Sequence, residues 1–379
     1  MASESLESFS IEFLKTVLQE NKDGNIFYSP LSISAAFCML LLGTNDKSSN
    51  QIIKALKYKK SKNEIHKEIS ELLDKTAVIM NEYDQTQLSI ANGLFMQNNF
   101  KIKDNYQNEL QKFYKSEMKK INFTSPTAIK EVNGWIESKT NDKIKDMFQE
   151  GSFNNLTRLV LANAVYFKSN FKDGFEIENT VDKSFHKDVK TKLTVKMMKT
   201  SGDYNFAEDS QLGLKVLEIP FKNYQMRFLL FLPTQRFELN SVLNKLKEND
   251  LKNLINSLKL RQVSTLEVPK FKIDTQLNLK DLMGLLGVQD IFDPNRADLK
   301  GISDENLFVD KAIHKTFLDV NEHGIEAAAA TAMSICCMSM PFYESNETLE
   351  FIVDEPFLLS VYHKSADAIV FIGRVDDPK

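Results

Sequence analysis

The run LVLANAVYFKSNF, residues 159–171, limits the fold of this chain more than any other stretch. It is β-prone and almost continuously apolar. A strand of that kind must be covered on both faces, within a sheet that has packing layers above and below it. Near the N-terminus, NIFYSPLSISAAFCMLLLGT (25–44) reads as a short strand, a Ser-Pro break and a helix that is apolar nearly all round. Such a helix must be buried centrally.

The remaining elements fall around these two. Leu6, Phe9, Phe13 and Val17 share one face of an opening helix that Gly24 closes. Residues 51–85 are charged with helical periodicity, LSIANGLFMQ (88–97) reads as a strand, and 104–118 as another helix. From residue 214 strands dominate: LKVLEIPF, MRFLLFLP, STLEVPKFKI and the terminal run from Leu349 to Pro378. Helices early and strands late predict one mixed α+β domain over 1–379 rather than two independent ones. The chain has 379 residues, 42% hydrophobic and 26% charged, enough apolar surface for a sizeable core. A net charge of −4 argues against a general nucleic-acid binder. The basic runs 57–62 and 112–120 read as solvated faces, with a polyanion-binding helix face as the alternative for the second.

Signals for catalysis or metal binding are missing. Of the five histidines, none belongs to H-E-x-x-H, and no G-x-S-x-G, P-loop or G-x-G-x-x-G is present. No cysteine pairing has zinc-finger spacing, so no metal or cofactor is predicted. Cys38 lies in an apolar run and reads as a small buried hydrophobe, whereas Cys336 and Cys337 are adjacent and open to oxidation. The N-terminus lacks the basic leader and apolar core of a secretory signal, and no run approaches the ~20 apolar residues of a membrane span. The expected location is the cytoplasm, or outside the cell by a route without a recognisable signal peptide, with no membrane partner.

Residues 322–341, EHGIEAAAATAMSICCMSMP, carry two structural readings at once. Alanine favours a helix. With period two, Ile325, Ala327, Ala329, Thr331, Met333 and Ile335 share one face, and the opposite face is small and more polar, as in a strand. A segment credible in both states is a candidate conformational switch.

Asn321-Glu322-His323-Gly324, followed by Glu326, Ala327, Ala328, Ala329, Ala330 and Thr331, closely resembles the hinge of the serpins, a family of serine protease inhibitors. The resemblance extends from the first helix to Pro378. It implies a large mixed sheet that accepts the reactive loop, two smaller sheets and about nine helices. Residues 322–341 would be hinge and reactive-centre loop, with Glu322, Gly324 and Ile325 opening the hinge. It also implies that Ser29, Ser32, Asn163 and His314 lie where the large sheet opens, and that Glu322 pairs with Lys270 at its top. Phe171 stands where the family usually has tryptophan. Loss of the indole donor predicts looser packing there.

By the family's count the bait bond is Met338–Ser339. A target protease would attack the Met338 carbonyl with its serine, form an acyl-enzyme, and be dragged along as residues 325–337 enter the sheet. Distortion of its oxyanion hole would then stop deacylation. Methionine suits a chymotrypsin-like, elastase-like or cathepsin-G-like pocket, and no Lys or Arg lies within 322–341, which excludes trypsin-like targets. The protein would act as a monomer and not as an enzyme. The rival is a non-inhibitory serpin, a chaperone-like, storage or carrier protein cut as a plain substrate. Ile325 favours it, being bulkier than the small residues usual at the entry to the sheet.

Overall fold

The computed structural model describes residues 2–21, 23–77, 86–116, 118–326 and 349–379. Strand Leu159–Asn170 is buried along almost its whole length. Its odd-numbered residues Leu159, Leu161, Val165 and Phe167 join the main core, which also contains the apolar helix Pro30–Gly43. Its even-numbered residues Val160, Ala162 and Ala164 join a second core under the helix Ala128–Lys139 and the segment after it, through Val132, Ile136, Ile144, Met147 and Phe148. Two-sided burial is the physical reason the run has no polar face.

This strand belongs to a six-stranded mixed sheet. The order is Phe271–Asn278, Val309–Asn321, Gly324–Ile325, Leu159–Asn170, Gln87–Gln97, Met118–Ile121. The other strands form a continuous nine-stranded ladder. Within it, the two smaller sheets share the long strand Lys192–Asp209. Its first part pairs with Val181–His186, its middle with Lys259–Pro269 and its end with Leu214–Pro220. Nine α-helices occur among the described residues. The architecture is α+β.

Helix Pro30–Gly43 begins where proline sets the first turn and Ser29 Oγ accepts from Ser32 N–H, satisfying an amide the helix leaves unpaired. Every residue of that helix is buried, including Cys38, whose thiol pKa burial pushes up to about 12. The run STLEVPKFKI, read above as one strand, is divided. Lys259–Pro269 lies in the nine-stranded ladder and Phe271–Asn278 in the six-stranded sheet, with Lys270 at the corner. That corner brings Lys270 to the top of the six-stranded sheet.

Candidate functional site

Strands Leu159–Asn170 and Val309–Asn321 run parallel and pair directly from Leu159/Val309 as far as Tyr166/Phe317. Above that level Gly324–Ile325 lies between them, antiparallel to both. Ile325 faces Ser169 on one side and Val320 on the other, and Gly324 faces Asn170 and Asn321. The chain reaches this position through a tight turn at Glu322 and His323, in which His323 N–H donates to Asn321 Oδ1 at 3.0 Å. Phe171 N–H donates to His323 O and Phe175 N–H to Glu322 O, both at 2.8 Å. On the other side Glu326 N–H donates to Asp319 O at 2.6 Å.

Ile325 is 0% exposed and part of the main core. The sequence reading had it entering the sheet only after cleavage, so this is a correction. Its apolar burial is complete in the uncut chain, so it would add nothing to any energy gained on insertion. Gly324 is obligatory here. Its φ is +144°, and a Cβ would be driven into Ser169 O and the backbone of Asn170 and Phe171. Gly174 is needed for the same reason, since a Cβ there would stand 2.8 Å from Glu322 O.

Glu322 anchors the turn. Its Oε2 accepts from Lys270 Nζ at 2.9 Å and its Oε1 from Thr180 Oγ1 at 3.1 Å. Burial pushes the carboxyl pKa up, but the hydrogen bond from Lys270, the residue's own backbone N–H, the Lys270 charge and Thr180 outweigh it and leave it lowered. Beside this anchor Phe171 is buried in an aromatic cluster. It stacks on Phe221 at 5.6 Å and 13°, and meets Phe175 at 6.1 Å and Phe228 at 5.8 Å. The looser packing expected at this position is not found, because three neighbouring phenylalanines fill the space with ring contacts that need no donor.

Lower down, a polar cluster crosses the closed seam between the two strands. His314 lies opposite Asn163 in register, and its Nδ1 bonds Asn163 Oδ1. Ser29 N–H donates to His314 Nε2 at 3.1 Å, so Nε2 is the acceptor and Nδ1 carries the proton. Asn163 Nδ2 donates to Ser32 O at 3.2 Å, to Ser32 Oγ at 2.5 Å and to Asn92 Oδ1. Burial depresses the His314 pKa to about 3, against a smaller raising effect of Asn163. A second proton would also set an N–H on Nε2 against the Ser29 N–H.

The structure therefore brings the singled-out residues together in two groups, Ser29, Ser32, Asn163 and His314 at the seam, and Glu322, Gly324, Ile325, Lys270 and Phe171 at the top. Glu326 ends the described hinge with φ +48°. Ala327, Ala328, Ala329, Ala330, Thr331, Met338 and Ser339 lie outside the described residues. Asn92, Thr180 and Gly174 were missed by sequence reasoning. Only Asn92 left a signal, a lone amide inside the apolar strand Gln87–Gln97.

The family model described as Serpin (serine protease inhibitor) matches residues 4–378. Among curated proteins the chain is 33% identical to Serpin B4 of Homo sapiens, over 99% of this chain and 100% of that one. It is 36% identical to Leukocyte elastase inhibitor of Equus caballus, over 98% and 97%. The solved structure of uncleaved ovalbumin superposes with a TM-score of 0.88 at 26% identity, covering 100% of each chain.

Proposed function

This chain belongs to the serpin family, protease inhibitors rather than enzymes, and we propose that it traps chymotrypsin-like, elastase-like or cathepsin-G-like serine proteases through cleavage at Met338–Ser339. The observation that carries the reading is the hinge. A strand has begun between Leu159–Asn170 and Val309–Asn321, bonded on both sides, and stops at Glu326. Cleavage at the bait would free the following residues to continue it. About ten residues gaining roughly 0.5–1.5 kcal/mol of net hydrogen bonding each give on the order of 10 kcal/mol. That is comparable with the whole stability of a domain, about 5–15 kcal/mol, and so sufficient to deform a tethered protease. The uncut form is then a kinetic trap rather than the deepest minimum.

The target class rests on Met338 and on the absence of Lys and Arg from residues 322–341. The name of the horse relative, an elastase inhibitor, supports the same class. The test is incubation with chymotrypsin and with a leukocyte or pancreatic elastase. The expected result is an SDS-resistant complex with one of them, N-terminal sequence beginning at Ser339 in the released peptide, and a large rise in melting temperature after loop cleavage. Cleavage without a covalent species and without thermal gain would overturn the proposal in favour of a non-inhibitory serpin.

A further inference from the structure

Glu326 is held from a second element, since Lys143 forms an ion pair with its carboxylate. The same carboxylate is near enough to Tyr166 on strand Leu159–Asn170 to add, after burial, to the raising of the Tyr166 pKa. The Glu326 side chain is 12% exposed, so the pair is only partly screened by solvent. Lys143 belongs to the turn that follows the covering helix Ala128–Lys139. In this turn Asn141, Asp142 and Asp146 all have left-handed φ, at +52°, +57° and +49°. Ile144 next to Lys143 is buried in the second core, and Lys145 O accepts from Lys315 Nζ of strand Val309–Asn321 at 3.1 Å. The turn thus touches the hinge through Lys143 and the far side of the seam through Lys145. Ile144 and Met147 place it on the face of the sheet that the second core covers.

We propose that Lys143 is a positioning residue for insertion. By holding Glu326 it ties the covering turn to the hinge and arrests the new strand at its third residue. The proposal rests on the insertion mechanism above. For the strand to extend as far as residue 328, which the register sets level with Tyr166 and Phe317, those two directly paired strands must part, and the turn lying over them must lift. The Lys143–Glu326 pair opposes that lift, so its loss speeds insertion rather than slowing it.

The test needs no protease. A synthetic acetylated peptide with the sequence of residues 327–335 is incubated with the intact, uncleaved protein, and its uptake is followed by native-gel mobility and thermal shift. Lys143→Met is expected to take up the peptide roughly two- to fivefold faster than the wild type, the scale of one partly exposed ion pair. The exchange K143E/E326K is expected to restore the wild-type rate, and Lys139→Met, on the same exposed helix end, to leave it unchanged. Equal or slower uptake by K143M, or an exchange that fails to restore the rate, overturns the proposal while leaving the inhibitor reading intact. No uptake by any of these proteins overturns both.

Discussion

Ile325 faces Ser169 across an antiparallel pair of strands, and the opposite edge of the same residue faces Val320. A residue bonded on both sides and sealed from solvent cannot be described as part of a free loop. The uncut chain already carries a two-residue strand, Gly324–Ile325, between Leu159–Asn170 and Val309–Asn321.

Ile325→Arg would place an unpaired charge in the main core. The cost of burying it, several kcal/mol, exceeds what two backbone pairs can hold, so the hinge is expected to swing out. The fold would survive, because the rest of the core does not depend on Ile325. Such a variant should be cut at the bait bond without forming the SDS-resistant complex, and the melting temperature of its cut form should stay near that of the uncut form.

Gly324→Ala acts on backbone rather than side chain. At φ +144° with Ser169 O in the path of any Cβ, alanine must either distort the pair with Asn170 or leave the sheet. A loss of about 1–3 kcal/mol is expected. Urea unfolding of the uncut protein measures it, and the same substitution at Gly134, where a Cβ meets nothing within 4 Å, is the control.

The two strongest elements were legible in the sequence for one reason. Residues 159–170 and 30–43 are apolar on every side, and burial on every side admits few solutions. The split at Lys270 was not legible, because the same β-prone residues suit either sheet and only tertiary packing assigns them. The hinge was legible as a segment credible in two states, but not as one already started into the sheet. That depends on space opposite Ser169 and on Gly174, neither of which leaves a local pattern. Lys143 and Tyr166 were invisible for a similar reason, since their partner Glu326 is distant in sequence and charged residues in turns usually face only water.

The seam histidine makes stability depend on pH. With its pKa pushed from 6.5 to about 3 by burial, His314 is neutral in the fold, whereas the unfolded chain takes up a proton below 6.5. The stability present above pH 6.5 is therefore lost as pH falls towards about 3. His66, depressed to about 3 by burial, acts in the same direction, and Glu7, raised by burial to about 7, acts in the opposite one. The decisive measurement is consequently the difference between proteins. His314→Gln should lower the melting temperature at pH 7.5, and the gap from the wild type should narrow as pH is taken down to 4.5.

Met338→Arg tests the bait assignment without touching the sheet. If Met338 enters the target's specificity pocket, an arginine there moves recognition from apolar pockets to those with an acidic floor. The variant should form the covalent complex with trypsin and lose it with chymotrypsin or elastase, both read on one gel. An unchanged target preference would place the bait at a neighbouring bond.

The register at the top of the sheet fixes what an inserted strand would meet lower down. Ile325 stands level with Ser169 and Val320, and each following residue steps one place down both strands. In that proposed state Thr331 arrives between Asn163 and His314, the pair whose bond now crosses the seam. Ile325 belongs to the main core, and Thr331 has the same parity, so its hydroxyl would turn towards Ser32 and Asn92. Parting the strands breaks the bond between His314 and Asn163. A hydroxyl arriving at that level can donate to Asn163 Oδ1 and accept from His314 Nδ1, so neither is left unpaired. Valine has the shape of threonine but neither function, and each buried group left unsatisfied costs about 1–3 kcal/mol. Thr331→Val is therefore expected to leave the melting temperature of the uncut protein unchanged and to reduce the thermal gain on cleavage, with Thr331→Ser recovering most of it. Equal gains for valine and threonine would show that the strand stops short of the seam or enters in another register.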